Sequence, residues 1–189
     1  MTTINQTKLT AQKFLMLGED PPGVRLELVH GEIAVSPSPS YPHSHAIIQL
    51  SIILGSYINQ QDLGSLLVDI DTILDQFNVR RPDLLFVAKS RLHLIKGHGI
   101  PLAPDLCIEV VSPSSVHIDR DDKFALYRDR GVPNYWMINP IDHAFEAYQL
   151  KNGHYVQAAT GREDEVVHAP PFESLAIPLS KLWTPIGTP

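Results

Sequence analysis

Cysteine is almost missing from this chain of 189 residues, which contains a single one, Cys107. One cysteine cannot form an intrachain disulfide, and its place within an apolar run favours a small core residue over a nucleophile. The chain also lacks an apolar run approaching the roughly 20 residues that a membrane helix needs, and its N-terminus lacks the features of a secretory signal. We therefore expect a soluble cytoplasmic protein without membrane contact.

Two catalytic signatures are also missing. The sequence contains no phosphate-binding glycine loop and no nucleophile elbow, so Ser112-Pro-Ser-Ser115 is more typical of a turn than of a catalytic serine. A strongly basic surface is excluded because the formal net charge is -6. Residues 80–130, in contrast, contain nine Lys and Arg against seven Asp and Glu. This local balance permits a side of the protein that faces DNA.

The most informative stretch is Pro104-Asp-Leu-Cys-Ile-Glu-Val-Val-Ser112, an apolar run interrupted by one carboxylate. Its continuous apolar character between two turn signals predicts a short strand that is covered on both faces. Burying an unpaired carboxylate costs on the order of several kcal/mol. We therefore expect Glu109 to be paired, protonated, hydrogen-bonded or bound to a cation.

A second carboxylate, Asp83, stands at the start of another apolar run, Leu84-Leu-Phe-Val87, directly after a proline. This run predicts a buried strand as well, and the two acid-bearing strands are candidates for neighbours in one sheet. Asp105 also follows a proline and is the rival for the first metal-binding acid. Because Asp105 lies only four residues before Glu109, opposite strand ends or faces are expected for that pair. Asp83 is therefore preferred.

A basic residue follows the central strand at a short distance along the chain. Lys123 lies fourteen residues after Glu109, in a stretch with helical character over residues 119–130. Strand, loop and helix follow each other closely enough for the helix to pack back over the strand. Lys123 and Tyr127 are four residues apart and share one helix face. The flexible lysine stem is therefore expected to reach the two acids.

The remaining sequence predicts an α/β fold with a mixed central sheet flanked by helices over 43–60 and 119–130. Further strands are predicted over 25–29, 32–35, 65–70, 134–138, 144–150 and 154–157, with an irregular acidic bend over 71–78. We expect one domain over 1–189, with an N-terminal docking segment over 1–22. A proline-rich segment over 170–189 is expected to wrap the surface, anchored by Leu175, Ile177, Leu179 and Trp183.

These residues resemble a known superfamily. The order Pro82-Asp83, Glu109-Val-Val111 and a nearby basic residue resembles the PD-(D/E)XK nucleases. The longer string from Ala103 to Ser115, followed by Asp-Arg-Asp-Asp-Lys-Phe-Ala-Leu-Tyr127 and Gly131-Val-Pro-Asn-Tyr-Trp136, resembles the restriction endonuclease branch of small bacterial proteins. The resemblance covers roughly residues 25–160. Val111 occupies the position where the commonest superfamily pattern has its lysine, but in this branch the lysine comes from the following helix, as Lys123 does.

The resemblance implies a restriction-endonuclease-like fold and a DNA endonuclease that depends on Mg²⁺ or Mn²⁺ and acts as a homodimer. It implies Asp83 and Glu109 as metal ligands and Lys123 as the catalytic lysine. A backbone carbonyl such as that of Val110 would supply a third oxygen ligand. Further polar residues that the resemblance suggests near the metal are Glu32, His45 and Tyr127.

Other interpretations remain open from the sequence. Glu109 and Lys123 would also suit a structural ion pair, which would make the chain a non-cleaving nucleic-acid-binding or protein-interaction module. A metal-dependent hydrolase of a smaller phosphoester is a third hypothesis. His43 and His45 are spaced like a pair of metal ligands, but without a cysteine or a third close ligand they favour capping or exposed positions over a zinc site.

Overall fold

The computed structural model describes residues 8–36, 38–95, 97, 99–111 and 118–183. The helices in these ranges are α1 (Ala11–Leu15), α2 (Tyr41–Gln60) and α3 (Phe124–Asp129), and a π-helical turn (Ile118–Lys123) leads into α3. The strands are β1 (Arg25–Val29), β2 (Glu32–Ser36), β3 (Gly64–Val68), β4 (Thr72–Asp75), β5 (Asn78–Arg80), β6 (Leu84–Ala88), β7 (Leu106–Val110), β8 (Asn134–Asn139), β9 (Ala144–Lys151), β10 (His154–Arg162), β11 (Val166–Ala169) and β12 (Phe172–Pro178).

A six-stranded mixed sheet forms the centre of the fold, in the order β10-β9-β8-β7-β6-β3. Strands β7 and β8 are parallel, because the turn and α3 connect them across one face, while the other neighbours in this sheet are antiparallel. The two acid-bearing runs become β6 and β7, which are adjacent. The predicted α/β fold with a mixed central sheet is confirmed.

Helix α2 covers one face of this sheet. It begins at Tyr41, two residues earlier than predicted, because the Ser40 side chain accepts a hydrogen bond from the backbone N–H of His43 (3.5 Å) and Pro42 suits the first turn. Its buried stripe consists of Ala46, Leu50, Leu54 and Ile58, which pack against the apolar side chains of β6, β7 and β8. The first turn of the helix thereby lies at the end of the sheet that carries Asp83.

The C-terminal segment contributes to the same core. The sequence analysis expected a proline-rich surface wrap over 170–189, but β11 and β12 form an antiparallel hairpin, and Phe172 is buried among the α2 contacts. Of the expected anchors, Ile177, Leu179 and Trp183 are buried, and Leu175 packs partly against them. The two prolines therefore lie in the turn between β11 and β12, where they end one strand and precede the next without disrupting either.

A second sheet, in the order β2-β1-β5-β4, contains the two predicted strands β1 and β2 and two strands in the region 71–78, where the sequence analysis predicted an irregular bend. The bend is a hairpin of β4 and β5, and the Asp75 carboxylate holds its turn by accepting from the backbone N–H of Phe77 (2.6 Å) and from the Asn78 amide. Helix α1 packs on one face of this sheet through Phe14, against Leu28 and Val79.

The described helices include none with the length and apolar character needed to cross a bilayer. Cys107 is free and buried in the cluster under α3, together with Tyr127 and Tyr135, as expected for a small core residue. The opposite face of the second sheet turns toward α3 and the start of β6, and the candidate site lies in this region.

Candidate active site between the two sheets

The register of β6 and β7 brings Asp83 and Glu109 together. Leu85 pairs with Cys107 in the antiparallel ladder, so two residues further along Asp83 lies opposite Glu109 on the same face. Opposite side chains of an antiparallel pair have Cβ atoms about 5 Å apart. Both side chains are buried, at 5% and 2% exposure. Two neighbouring carboxylates that are both buried can remain ionised only if cationic groups or hydrogen-bond donors offset their charges.

Glu109 is held by the helix that follows its strand. Its Oε2 accepts from Lys123 Nζ at 2.8 Å, and its Oε1 accepts from the Tyr127 hydroxyl at 2.7 Å. Lys123 ends the π-helical turn and Tyr127 lies in α3, so their spacing of four residues places both above the strand. The structure thus places Lys123 in reach of the acids, as the spacing predicted.

Burial of the Tyr127 hydroxyl, followed by the charge of Glu109, raises the pKa of Tyr127 well above its ordinary value. The tyrosine therefore remains a hydrogen-bond donor to Glu109 at any physiological pH. The charge of Glu27, on β1, also contributes to this increase in the pKa of Tyr127, consistent with a position of β1 near the Tyr127 hydroxyl.

Asp83 is bonded from three directions. Its Oδ2 accepts from the backbone N–H of Val110 (2.8 Å) and lies 3.2 Å from His43 Nε2, while its Oδ1 accepts from Arg25 Nη1 (3.3 Å). Burial acts to raise the pKa of Asp83, but the hydrogen bond and charge of His43, the charge of Lys123 and the hydrogen bond from the Val110 N–H hold this pKa below its ordinary value. Asp83 is therefore an ionised carboxylate and can serve as a cation ligand.

Glu27 is a third buried carboxylate of the site, and the sequence analysis missed it. Its Oε1 accepts from the backbone N–H of Arg81 (2.7 Å), and its Oε2 lies 3.5 Å from Arg80 Nη1. The alternation in β1 predicted a strand with its polar face in solvent. That face is instead covered, because the second sheet packs over the site. No local signal in the sequence distinguishes a covered polar face from an exposed one.

His43 aside, the charged groups of the site balance. They are the three cationic side chains of Arg25, Arg80 and Lys123 and the three carboxylates of Glu27, Asp83 and Glu109. Among the described residues, Nε and Nη2 of Arg80 have no acceptor and Nδ1 of His43 has no partner. Buried polar atoms without partners need an explanation, and a water, an ion or a substrate oxygen would supply one.

Two residues expected near the metal lie elsewhere. Glu32 is exposed at the turn end of β2, opposite Val29. His45 Nε2 lies 3.3 Å from the carbonyl oxygen of Lys181. Successive helix residues rotate by about 100°, so the two histidines of α2 point in different directions, and it is His43 that meets Asp83. The expectation of an exposed or capping role for the His43 side chain was wrong.

The rival acid is not part of the site. Asp105 lies just before β7, at the opposite end of that strand from Glu109. Its carboxylate accepts from the backbone N–H of Ala88 and from Arg91, both at 2.8 Å. The structure therefore pairs Glu109 with Asp83. The segment Ser112-Pro-Ser-Ser115, considered above as a turn, lies outside the described residues.

The oxygen atoms at these strand ends are of the kind that binds a divalent cation. The backbone N–H of Val110 donates to Asp83 Oδ2, and in an extended strand the carbonyl of the same residue points to the same side. Two carboxylates and one carbonyl are oxygen ligands of the kind that Mg²⁺ prefers, with water completing its shell. No group of three His, Cys, Asp or Glu side chains that could hold a metal occurs within the described ranges. A cation here would thus depend on backbone and water oxygens.

Comparison with known proteins places the chain in a family. Its residues 11–180 match the model of the Uma2 family, described as "Putative restriction endonuclease". Among solved structures, it is similar to "a putative nuclease belonging to DUF820" from Anabaena variabilis, with 22% identity and a TM-score of 0.76, over 93% of this chain and 97% of that one. No curated protein sequence matches significantly. Because the family model matches most of its length, the chain belongs to the Uma2 family.

Proposed function

We propose that this protein is an endonuclease that hydrolyses DNA phosphodiester bonds and depends on Mg²⁺ or Mn²⁺. The observation that carries the proposal is the pair of buried carboxylates just before β6 and near the end of β7, with Lys123 bonded to one of them. Family membership supports the reaction class.

Each residue of the site has a distinct role in this proposal. Asp83, Glu109 and the Val110 carbonyl would hold the cation, which supplies charge neutralisation and a lowered pKa for water when bound. Lys123 is the catalytic lysine. Its ammonium group orients the attacking water and stabilises the negative charge that develops at the phosphorus centre.

The residues around the carboxylates act by positioning them. Arg25 and His43 fix the orientation of Asp83, and Tyr127 fixes that of Glu109. A carboxylate held by two or three partners loses little freedom when it binds a cation, so the geometry is prepared before substrate arrives.

Plasmid cleavage tests this proposal. Wild type should nick supercoiled plasmid in Mg²⁺ or Mn²⁺ but not in EDTA, and Asp83→Asn and Glu109→Gln should abolish nicking. The matched control is Asp105→Asn, which changes a bonded aspartate at the other end of β7 and should retain nicking. Equal loss in Asp105→Asn, or retained nicking in Asp83→Asn, would refute the assignment of Asp83.

A non-cleaving nucleic-acid-binding or protein-interaction module is the second candidate. It is favoured by the charge balance of the site, in which Lys123 and Arg25 already neutralise the two acids. Such a module would bind its partner equally well in EDTA and with Lys123→Met. Hydrolysis of nucleotides without nicking of plasmid would instead indicate a phosphoesterase for smaller substrates.

A homodimer is part of the proposal, since cutting both strands of a duplex requires two active sites. Ile33 and Val35 on the β1–β2 hairpin expose 48% and 66% of their surface and offer an apolar patch for association. Analytical ultracentrifugation of wild type and of Val35→Lys tests this surface. Dimers that persist unchanged in Val35→Lys would exclude the hairpin as the interface.

A further inference from the structure

A cavity of about 540 Å³ lies between α1, β1 and the segment that joins β3 to β4. Its walls combine apolar side chains, such as those of Phe14, Leu26 and Ile70, with five charged ones: Glu19, Asp20, Asp69, Asp71 and Arg81. Small-molecule binding pockets commonly combine apolar walls with polar groups that fix the orientation of the ligand.

One arginine links this cavity to the candidate active site. Arg25 Nε lies 2.9 Å from Asp69 Oδ1 in the cavity, and Arg25 Nη1 lies 3.3 Å from Asp83 Oδ1. The backbone N–H of Asp69 also donates to the carbonyl oxygen of Asp83 (3.4 Å). These contacts place one wall of the cavity directly beside Asp83.

The charges of the lining define what the cavity accepts. Asp20 and Asp71 both bond Arg81, at 2.6 and 2.9 Å, so their charges are partly offset. The Asp69 side chain is 53% exposed and meets Arg25 through Oδ1, and Glu19 adds a further carboxylate to the lining. A carboxylate in that position repels phosphate and attracts an N–H donor.

A nucleobase with an amino group matches this lining. Its flat faces suit apolar walls, and Asp or Glu accepts from the N4 amino group of cytosine. Thymine places a carbonyl oxygen at the corresponding position, which a carboxylate repels. Guanine and adenine are larger but also carry amino groups.

We propose that the cavity binds an unpaired, amino-bearing base, best matched by cytosine, of the strand whose phosphate lies at Asp83 and Glu109. The identity of this ligand rests on the proposed nuclease function. Taking a base out of a stack costs a few kcal/mol in duplex DNA and least in a single strand. The preferred substrate is therefore single-stranded or locally opened DNA.

Nucleoside titration tests the cavity directly. Deoxycytidine and thymidine carry no phosphate, so neither is attracted to a cation at the acids. Titrated into the full-length protein and followed by amide NMR shifts, deoxycytidine should shift residues of the cavity walls and bind about tenfold more tightly than thymidine. Asp69→Asn should remove this difference, because an amide both donates and accepts. Asp62→Asn, which changes an exposed aspartate paired with Lys89, should retain it.

Equal binding of the two nucleosides by wild type, no binding of either, or shifts only outside the cavity would overturn the inference. Cleavage measured on the same samples separates it from the proposed function. Deoxycytidine binding without any DNA cleavage would leave the base site standing and remove the nuclease proposal. DNA cleavage without any difference between the two nucleosides would keep the nuclease proposal and remove the base site.

Discussion

Of the residues in the site, Lys123 is the one whose substitution is expected to lower the stability of the protein most. It is 8% exposed and bonded to Glu109, which is 2% exposed. Removing one partner of a buried ion pair leaves an uncompensated charge and costs about 3–5 kcal/mol. A surface pair is worth about 1 kcal/mol or less.

We therefore expect Lys123→Met to lower the free energy of unfolding by about 3–5 kcal/mol, measured by urea denaturation. Lys89→Met is the matched control, since Lys89 pairs with Asp62 on the surface. Its effect should be about 1 kcal/mol or less. Similar losses in both variants would show that the Glu109 pair is not desolvated as described.

Tyr127 provides a milder test of the same network. Tyr127→Phe removes the donor to Glu109 Oε1 and should destabilise the protein by about 1–3 kcal/mol. Because burial and Glu109 raise the pKa of Tyr127 well above its ordinary value, the variant should lose no tyrosine that ionises near pH 10. Urea denaturation and ultraviolet titration measure the two quantities, and loss of such a titrating group would contradict this environment.

The sequence predicted one half of the site better than the other. Asp83, Glu109, Lys123 and Tyr127 lie on β6, β7 and the helix that follows, and strand alternation and helix spacing are local rules. Glu27 enters from a separate sheet. Whether its polar strand face meets solvent or protein depends on tertiary packing, which no local pattern encodes.

At the scale of elements, the β4–β5 hairpin depends on one carboxylate. Asp75 accepts from Phe77 and Asn78 and is paired with Arg130. Burial acts to raise the pKa of Asp75, but these partners hold it below its ordinary value. The charged form thus stabilises the fold above the unfolded-state pKa of about 3.9, and this contribution is lost as the pH falls through the folded-state pKa.

Asp75→Asn should therefore destabilise the protein at pH 7 by about 1 kcal/mol or more, and the difference from wild type should shrink as the pH falls below about 4. Thermal unfolding measured across this pH range provides the comparison. Asp62→Asn is the control, because Asp62 is exposed and holds no turn. A difference that stayed constant down to low pH would contradict the role of the ionised carboxylate.

Strong periodicity explains which elements were predictable. The apolar stripe of α2 follows helical spacing, and β6 and β7 are continuous apolar runs. Each of these elements was predicted to within a few residues. The short hairpins β4–β5 and β11–β12 were not, because the first turn contains Gln76 and Phe77 without a glycine, and the second consists of two prolines. The β11–β12 hairpin is held by packing against the main core, and the β4–β5 turn is held by the Asp75 carboxylate.

At the scale of the whole molecule, the overall charge and the charge of the site differ. The chain carries a formal net charge of -6, whereas, His43 aside, the three cations and three carboxylates of the site balance. A dication bound at the acids would add positive charge where a substrate phosphate is negative. The acidic remainder of the molecule would then favour DNA approach from the site face alone.

The central claim is that Asp83 and Glu109 hold a divalent cation, and calorimetric titration with Mn²⁺ tests it most directly. The account predicts a binding site in wild type that Glu109→Gln and Asp83→Asn lose and that Asp105→Asn keeps. Unchanged Mn²⁺ binding in Glu109→Gln, or no binding in wild type, would contradict the account and make the Glu109–Lys123 contact a structural ion pair.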